Sequence, residues 1–199
     1  EVMNDSKAEH YKIFDSMTAL FNDLIMFQRT HITPIVERMN DDMAAEHGSA
    51  DNTAGTADFG ISNPPFASKT FNLVRQLLLS LKVKDVANAA IEELKNGRKP
   101  VIALSNTMGA FLADMGVENG DTIGSIDYSI TLRRGLDGLF RISETDYRGV
   151  TTARRLDIND LTEEGREAYG ELVKKINAVS TGITISPIDA IKKLIAYAG

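Results

Sequence analysis

Cysteine is absent from the 199 residues. That excludes a disulfide scaffold, thiol nucleophiles, zinc–thiolate sites and iron–sulfur clusters, and it fits a reducing cytoplasm. Long apolar runs are absent too. None approaches the ~20 residues that a membrane-spanning helix needs. No basic, apolar, small-residue leader opens the chain, so no secretory signal is expected. Histidine is scarce: His10, His31 and His47 lie far apart in sequence, without metal-ligand spacing. No G-x-x-x-x-G-K-[ST] phosphate loop, G-x-G-x-x-G turn, H-E-x-x-H, G-x-S-x-G or calcium loop occurs. Asp41-Asp42 and Glu163-Glu164 are adjacent carboxylates, which point apart on a helix and make no acid–base pair. No catalytic residue and no metal ligand is therefore assigned.

What remains is the composition of a globular protein, 43% hydrophobic and 25% charged. The net charge of -6 is uneven. Residues 1–60 carry eleven Asp/Glu against four Lys/Arg, and should repel nucleic acid. Within 133–155 every basic residue is arginine: Arg133, Arg134, Arg141, Arg148, Arg154 and Arg155. An arginine-only patch suits bidentate phosphate contacts, and the plainer reading is a solvated face with local ion pairs.

Periodicity predicts a long helix over 7–46, with Ile13, Met17, Leu20, Leu24 and Phe27 forming a stripe that Phe14, Phe21 and Ile25 widen. Pro34 predicts a kink or break near Thr33. A Gly-, Ser-, Asn- and Pro-rich linker covers 48–67. Helices follow over 68–81, with Ser68 as N-cap, and over 83–96, with Gly97 as the C-terminal cap. Val101–Leu104 reads as a buried parallel strand leading to a helix at 108–115. Residues 117–124 read as a turn and 125–141 as helix. Val150–Leu156 is a candidate short strand, 160–179 a helix, and Ile183–Ile185 a strand before a helix capped by Ser186, Pro187 and Asp189. The expected fold class is helix-dominated α/β. A long helical region at 1–47 and a linker at 48–67 precede an α/β module with a small parallel sheet at 68–199.

Asn63-Pro64-Pro65-Phe66 resembles the Asn-Pro-Pro-aromatic tetrapeptide of amino-directed DNA methyltransferases, in which the amide binds the target amine and the aromatic stacks on a flipped base. The methyl-donor turn that such an enzyme needs has no counterpart upstream. The competing reading is a Pro-Pro turn that aims Phe66 into the core.

Three further segments carry a second resemblance. They are Phe71–Leu79 with the helix to Gly97, the string from Gly97 to Met108 containing Pro100-Val101-Ile102-Ala103-Leu104, and Ser186-Pro187-Ile188-Asp189-Ala190-Ile191. In this order they resemble the strawberry-notch-like helicases, superfamily-two ATPases that include phage anti-restriction proteins. The likeness covers about residues 66–112 and 180–199. It implies that Val101–Leu104 opens the second RecA-like lobe. The ATPase loop would then lie before Glu1 and an arginine-bearing motif after Gly199, and the chain would be a cut-out of a longer protein. The resemblance implies ATP and Mg in the parent protein, with no cofactor in this fragment, and DNA and other domains of the same chain as partners. Ser105, Asn106 and Thr107 follow the strand, where hydroxyls and free N–H groups can hold a phosphate, or can simply cap a helix. With Arg133, Arg134, Arg154 and Arg155 they are the candidate nucleic-acid-binding residues. The expected function is thus a non-catalytic, cytoplasmic piece of an ATP-dependent helicase or translocase. The alternatives are a helical scaffold module that docks through the 13–27 stripe, and part of a DNA adenine methyltransferase.

Overall fold

The apolar stripe of the first helix dictates the architecture. Met17, Leu20, Phe21, Leu24 and Phe27 recur at helical spacing and are all buried. They lie on α1, Val2–Phe27. The computed structural model describes residues 2–47, 60–103, 128–146, 148–180, 183–184 and 186–198.

The helix does not break at Pro34. It widens into a π-helical turn, Gln28–Ile32, and continues as α2, Thr33–His47. Proline lacks an N–H and its ring collides with the carbonyl four residues back. The wider turn just before it absorbs that conflict. The Thr33 N–H reaches the Gln28 carbonyl, and the Thr33 hydroxyl donates to the same oxygen at 3.2 Å.

After β1, Gly60–Ser62, come α3, Ala67–Leu81, and α4, Val83–Lys95. Gly97, at φ 73°, terminates α4 in the left-handed conformation that glycine tolerates, as its position suggested. Ser68 is not the N-cap of α3. It lies inside the first turn, and its hydroxyl donates to the Pro65 carbonyl at 2.7 Å. The chain then forms α5, Tyr128–Gly138, a hairpin of β2, Arg141–Thr145, and β3, Thr151–Arg155, and a 3-10 turn, Ile158–Asp160. Helix α6, Glu163–Ser180, and helix α7, Pro187–Ala198, complete the order.

One core unites α1 with Leu73 and Leu77 of α3, Leu132 and Leu136 of α5, Ile142 of β2 and Leu172 and Ile176 of α6. A smaller cluster joins Val83 and Ala87 of α4 to Ile191 of α7. Among the described residues no helix is long and apolar enough to cross a membrane.

The helix-dominated class is as expected, but the described sheet is not parallel. It has three antiparallel strands in the order β1-β2-β3. Gly60 pairs with Thr145, and Arg141 pairs with Arg155. Val101–Ala103 is not a strand: it has no regular structure, and Val101 is 92% exposed. Leu104 and Ile185 lie outside the described residues, as do the predicted helix 108–115 and turn 117–124. Thr184 makes an isolated β-bridge. The reason is that a short β-branched apolar run has the composition of a buried strand without the ladder that makes one. The strands that form are polar, bearing threonine, glutamate and arginine. Their hydrogen-bond partners come from the hairpin and from β1, which extends the sheet. Val150–Leu156 does contain a strand, β3. The predicted linker 48–67 contains β1 within its described part.

Candidate nucleic-acid interface

The arginines of residues 133–155 fall on one contiguous unit, α5 and the β2–β3 hairpin. Its core side is apolar: Leu132, Leu136, Leu139, Phe140 and Ile142 are buried. The outer strand of the hairpin is open to solvent: every residue of β3 is exposed. Its tip is built by Asp146, whose carboxylate accepts the backbone N–H groups of Arg148 at 2.8 Å and Val150 at 2.9 Å. Gly149, at φ 76°, supplies the left-handed residue that closes the turn.

Strand alternation divides the predicted patch. Neighbouring residues on a strand face opposite sides. Arg154 shares a face with Ile142 and approaches Glu144 at 3.6 Å. Arg155 turns to the other face and approaches Asp137 of α5 at 3.5 Å. Arg133 of α5 binds the Asn177 side-chain oxygen through Nε and Nη2, at 2.9 and 2.7 Å. Arg134 is half-buried and already engaged. Ser105, Asn106 and Thr107 lie outside the described residues. Arg133 is thus held by α6 at Asn177 and Arg155 by α5 at Asp137, while Arg154 lies on the opposite face of the hairpin from Arg155.

Two residues outside the predicted site complete this cluster. Arg141 stands directly opposite Arg155 across the ladder, on the same face. Like charges so paired destabilise a sheet, and an anion between them relieves the repulsion. Tyr169 of α6 donates its hydroxyl to Asp137 at 3.1 Å. Burial, and then the adjacent Asp137 carboxylate, push the Tyr169 phenol above its ordinary range, while Arg155 and Arg133 pull it back. Both cations therefore act at the same hydroxyl. The ion pairs of Arg154 and Arg155 are long and exposed, and each contributes at most about 1 kcal/mol. A phosphate can displace those carboxylates at little cost.

Beside Arg155 opens a cavity of about 320 Å³, lined by Phe140, Arg155, Leu156, Asp157, Ile158 and Tyr169. Tyr169 meets Phe140 edge-on, with ring centres 5.7 Å apart. No local sequence signal marks this site, because its walls come from β3, the following turn and α6.

Asn63-Pro64-Pro65-Phe66 has a different role. Asn63 donates through Nδ2 to the carbonyls of Leu139 and Arg141, both at 2.8 Å, and accepts from Gln28. Gln28 also donates to the Pro64 carbonyl at 2.9 Å and accepts the Phe66 N–H at 2.7 Å. Phe66 is 1% exposed. The Asn63 amide and the Phe66 ring are committed to the fold, and neither is placed to receive a base. The tetrapeptide clips the π-helical turn to the start of β2.

No protein-family description, curated protein or solved structure matches this chain.

Proposed function

We propose that the chain is a non-catalytic nucleic-acid-contacting module of a larger ATP-driven helicase or translocase. The carrying observation is the solvent-open strand β3 with the adjoining β2 and α5, whose basic residues are all arginine. Guanidinium groups bind phosphate oxygens in pairs. The ATP and Mg chemistry belongs to other parts of the parent protein, which the chain's lack of a phosphate loop supports. Other domains of that parent would be its neighbours, and the cytoplasm its compartment.

The test is a salt titration of DNA binding by the 199-residue chain. Affinity should fall steeply with salt. Arg141→Gln and Arg155→Gln should each reduce the log–log slope by about 1. If charge reversal at Arg133, Arg141 and Arg155 together leaves binding unchanged, the reading fails.

The scaffold reading keeps one supporting observation. Tyr11 and Leu78 are exposed beside a groove of about 310 Å³ that Phe14 and Leu81 also line. The 13–27 stripe itself supports it less, since its central residues are already buried by α3, α5 and α6.

A further inference from the structure

We propose that the cavity beside Arg155 takes one unstacked nucleobase of a single strand, while Arg155 and Arg141 hold the adjoining phosphate. The inference rests on the nucleic-acid reading and narrows it from any phosphate backbone to an unpaired one.

The geometry carries the argument. At about 320 Å³ the cavity lies at the small end of ligand pockets, which run from ~300 to ~1,000 Å³. It therefore fits a single planar ring system. Its walls are mixed: Phe140, Leu156, Ile158 and Tyr169 supply apolar and aromatic surface, and Arg155 and Asp157 supply polar surface. Every base offers a π-face to such walls, and each base–aromatic stack contributes about 1–3 kcal/mol. Tyr169 is half-buried and fixed at both ends, by Phe140 against its ring and by Asp137 at its hydroxyl. A base would meet a wall already in place, with little ordering cost. The cation sits where a strand needs it. Arg155 is both a wall of the cavity and the cross-strand partner of Arg141. A nucleotide whose base enters the cavity leaves its phosphate at the mouth, beside two guanidinium groups. A base paired inside a duplex cannot reach the same position without leaving its stack.

The experiment uses the 199-residue chain and an oligo-deoxythymidine carrying one 2-aminopurine, whose fluorescence is quenched on stacking. Its duplex with oligo-deoxyadenosine and free adenosine monophosphate serve as comparisons. Ile158 is 40% exposed at the cavity wall, so Ile158→Trp fills the space without opening the core. A second variant, Ile158→Gln, changes the wall without adding an aromatic ring or a charge. The expected result is quenching and tighter binding of the single strand by the parent chain. Both variants should weaken single-strand binding about 5- to 150-fold, the range that one stack implies, and change duplex binding less than twofold. Unchanged quenching and affinity in both variants, with arginine substitutions still weakening both forms, would overturn the cavity proposal and leave the broader reading standing. Binding of adenosine monophosphate as tight as that of the strand would overturn the assignment to a strand. Failure of every probe to bind at low salt would overturn both readings.

Discussion

Gln28 concentrates more of the fold than any other single side chain near the π-helical turn. Its amide satisfies Asn63, the Pro64 carbonyl and the Phe66 N–H, and it is itself buried. Removing it strands the buried Phe66 N–H and takes the partner from the part-buried Pro64 carbonyl. The cost of leaving such groups without partners is about 1–3 kcal/mol each. Gln28→Ala is therefore expected to lose about 2–4 kcal/mol in urea unfolding. Gln28→Glu keeps an acceptor for the Phe66 N–H but buries a carboxylate against the Asn63 amide oxygen and the Pro64 carbonyl, so it should lose at least as much as Gln28→Ala. If Gln28→Ala unfolds at the parent midpoint, the clip carries no stability. The same residues show why Asn63–Phe66 misleads as a motif. A tetrapeptide that presents an amide and an aromatic side by side suits a flipped base, and equally suits a turn that uses the amide on backbone carbonyls and buries the ring. Only the partners distinguish the two, and those are 35 and 76 residues away in the chain.

Among the elements, the helices were the legible part. The stripe from Met17 to Phe27 and the spacing in α3, α4 and α6 place these helices within a few residues, because an amphipathic face repeats over several turns. Of the described strands only β3 was legible, within Val150–Leu156, because three to five residues offer too few repeats to mark β1 and β2. Thr151-Thr152-Ala153-Arg154-Arg155 has little apolar character, yet it forms a ladder with β2. Pro100-Val101-Ile102 has that character and forms none. The cavity was still harder to foresee, since its walls converge only after the hairpin and α6 have folded. Helix α6 also offers a direct check of packing against propensity. Gly170 has open space where a Cβ would lie, whereas at Gly165 a Cβ would come within 3.2 Å of His31 Nδ1 and Leu161 Cβ. Alanine improves on glycine by about 1 kcal/mol in a helix interior. Gly170→Ala should realise that gain in chemical denaturation. Gly165→Ala should not, because the His31 ring on the π-helical turn must first give way. Equal gains would mean that α1 and α6 approach less closely than described.

At the level of the whole molecule, Tyr128 links stability to alkaline pH. It is fully buried, its hydroxyl donates to the Leu73 carbonyl, and burial holds its pKa far above the ordinary 10.0. The folded state thus keeps a proton that the unfolded chain releases. The sign follows: this contribution is intact below pH ~10 and is lost above it, at up to about 1.4 kcal/mol per pH unit. Urea midpoints should fall as pH rises past ~10, and Tyr128→Phe should flatten that fall. An unchanged slope in Tyr128→Phe would show that other groups drive alkaline unfolding. The core that encloses Tyr128 is closed by distant partners. Lys175 of α6 reaches Asp23 of α1 at 2.7 Å across 152 positions of sequence. Leu172 and Ile176 share the core with Met17, Leu20 and Leu24. On a ribosome, which adds about 5–20 residues per second, the α1 stripe waits roughly 8–30 s before α6 has even been synthesised. During that interval only α3 and α5 are available to pack on the stripe, and the part that Leu172 and Ile176 cover stays open. A translating chain paused before α6 therefore exposes apolar surface of the kind that makes incomplete folds prone to aggregate.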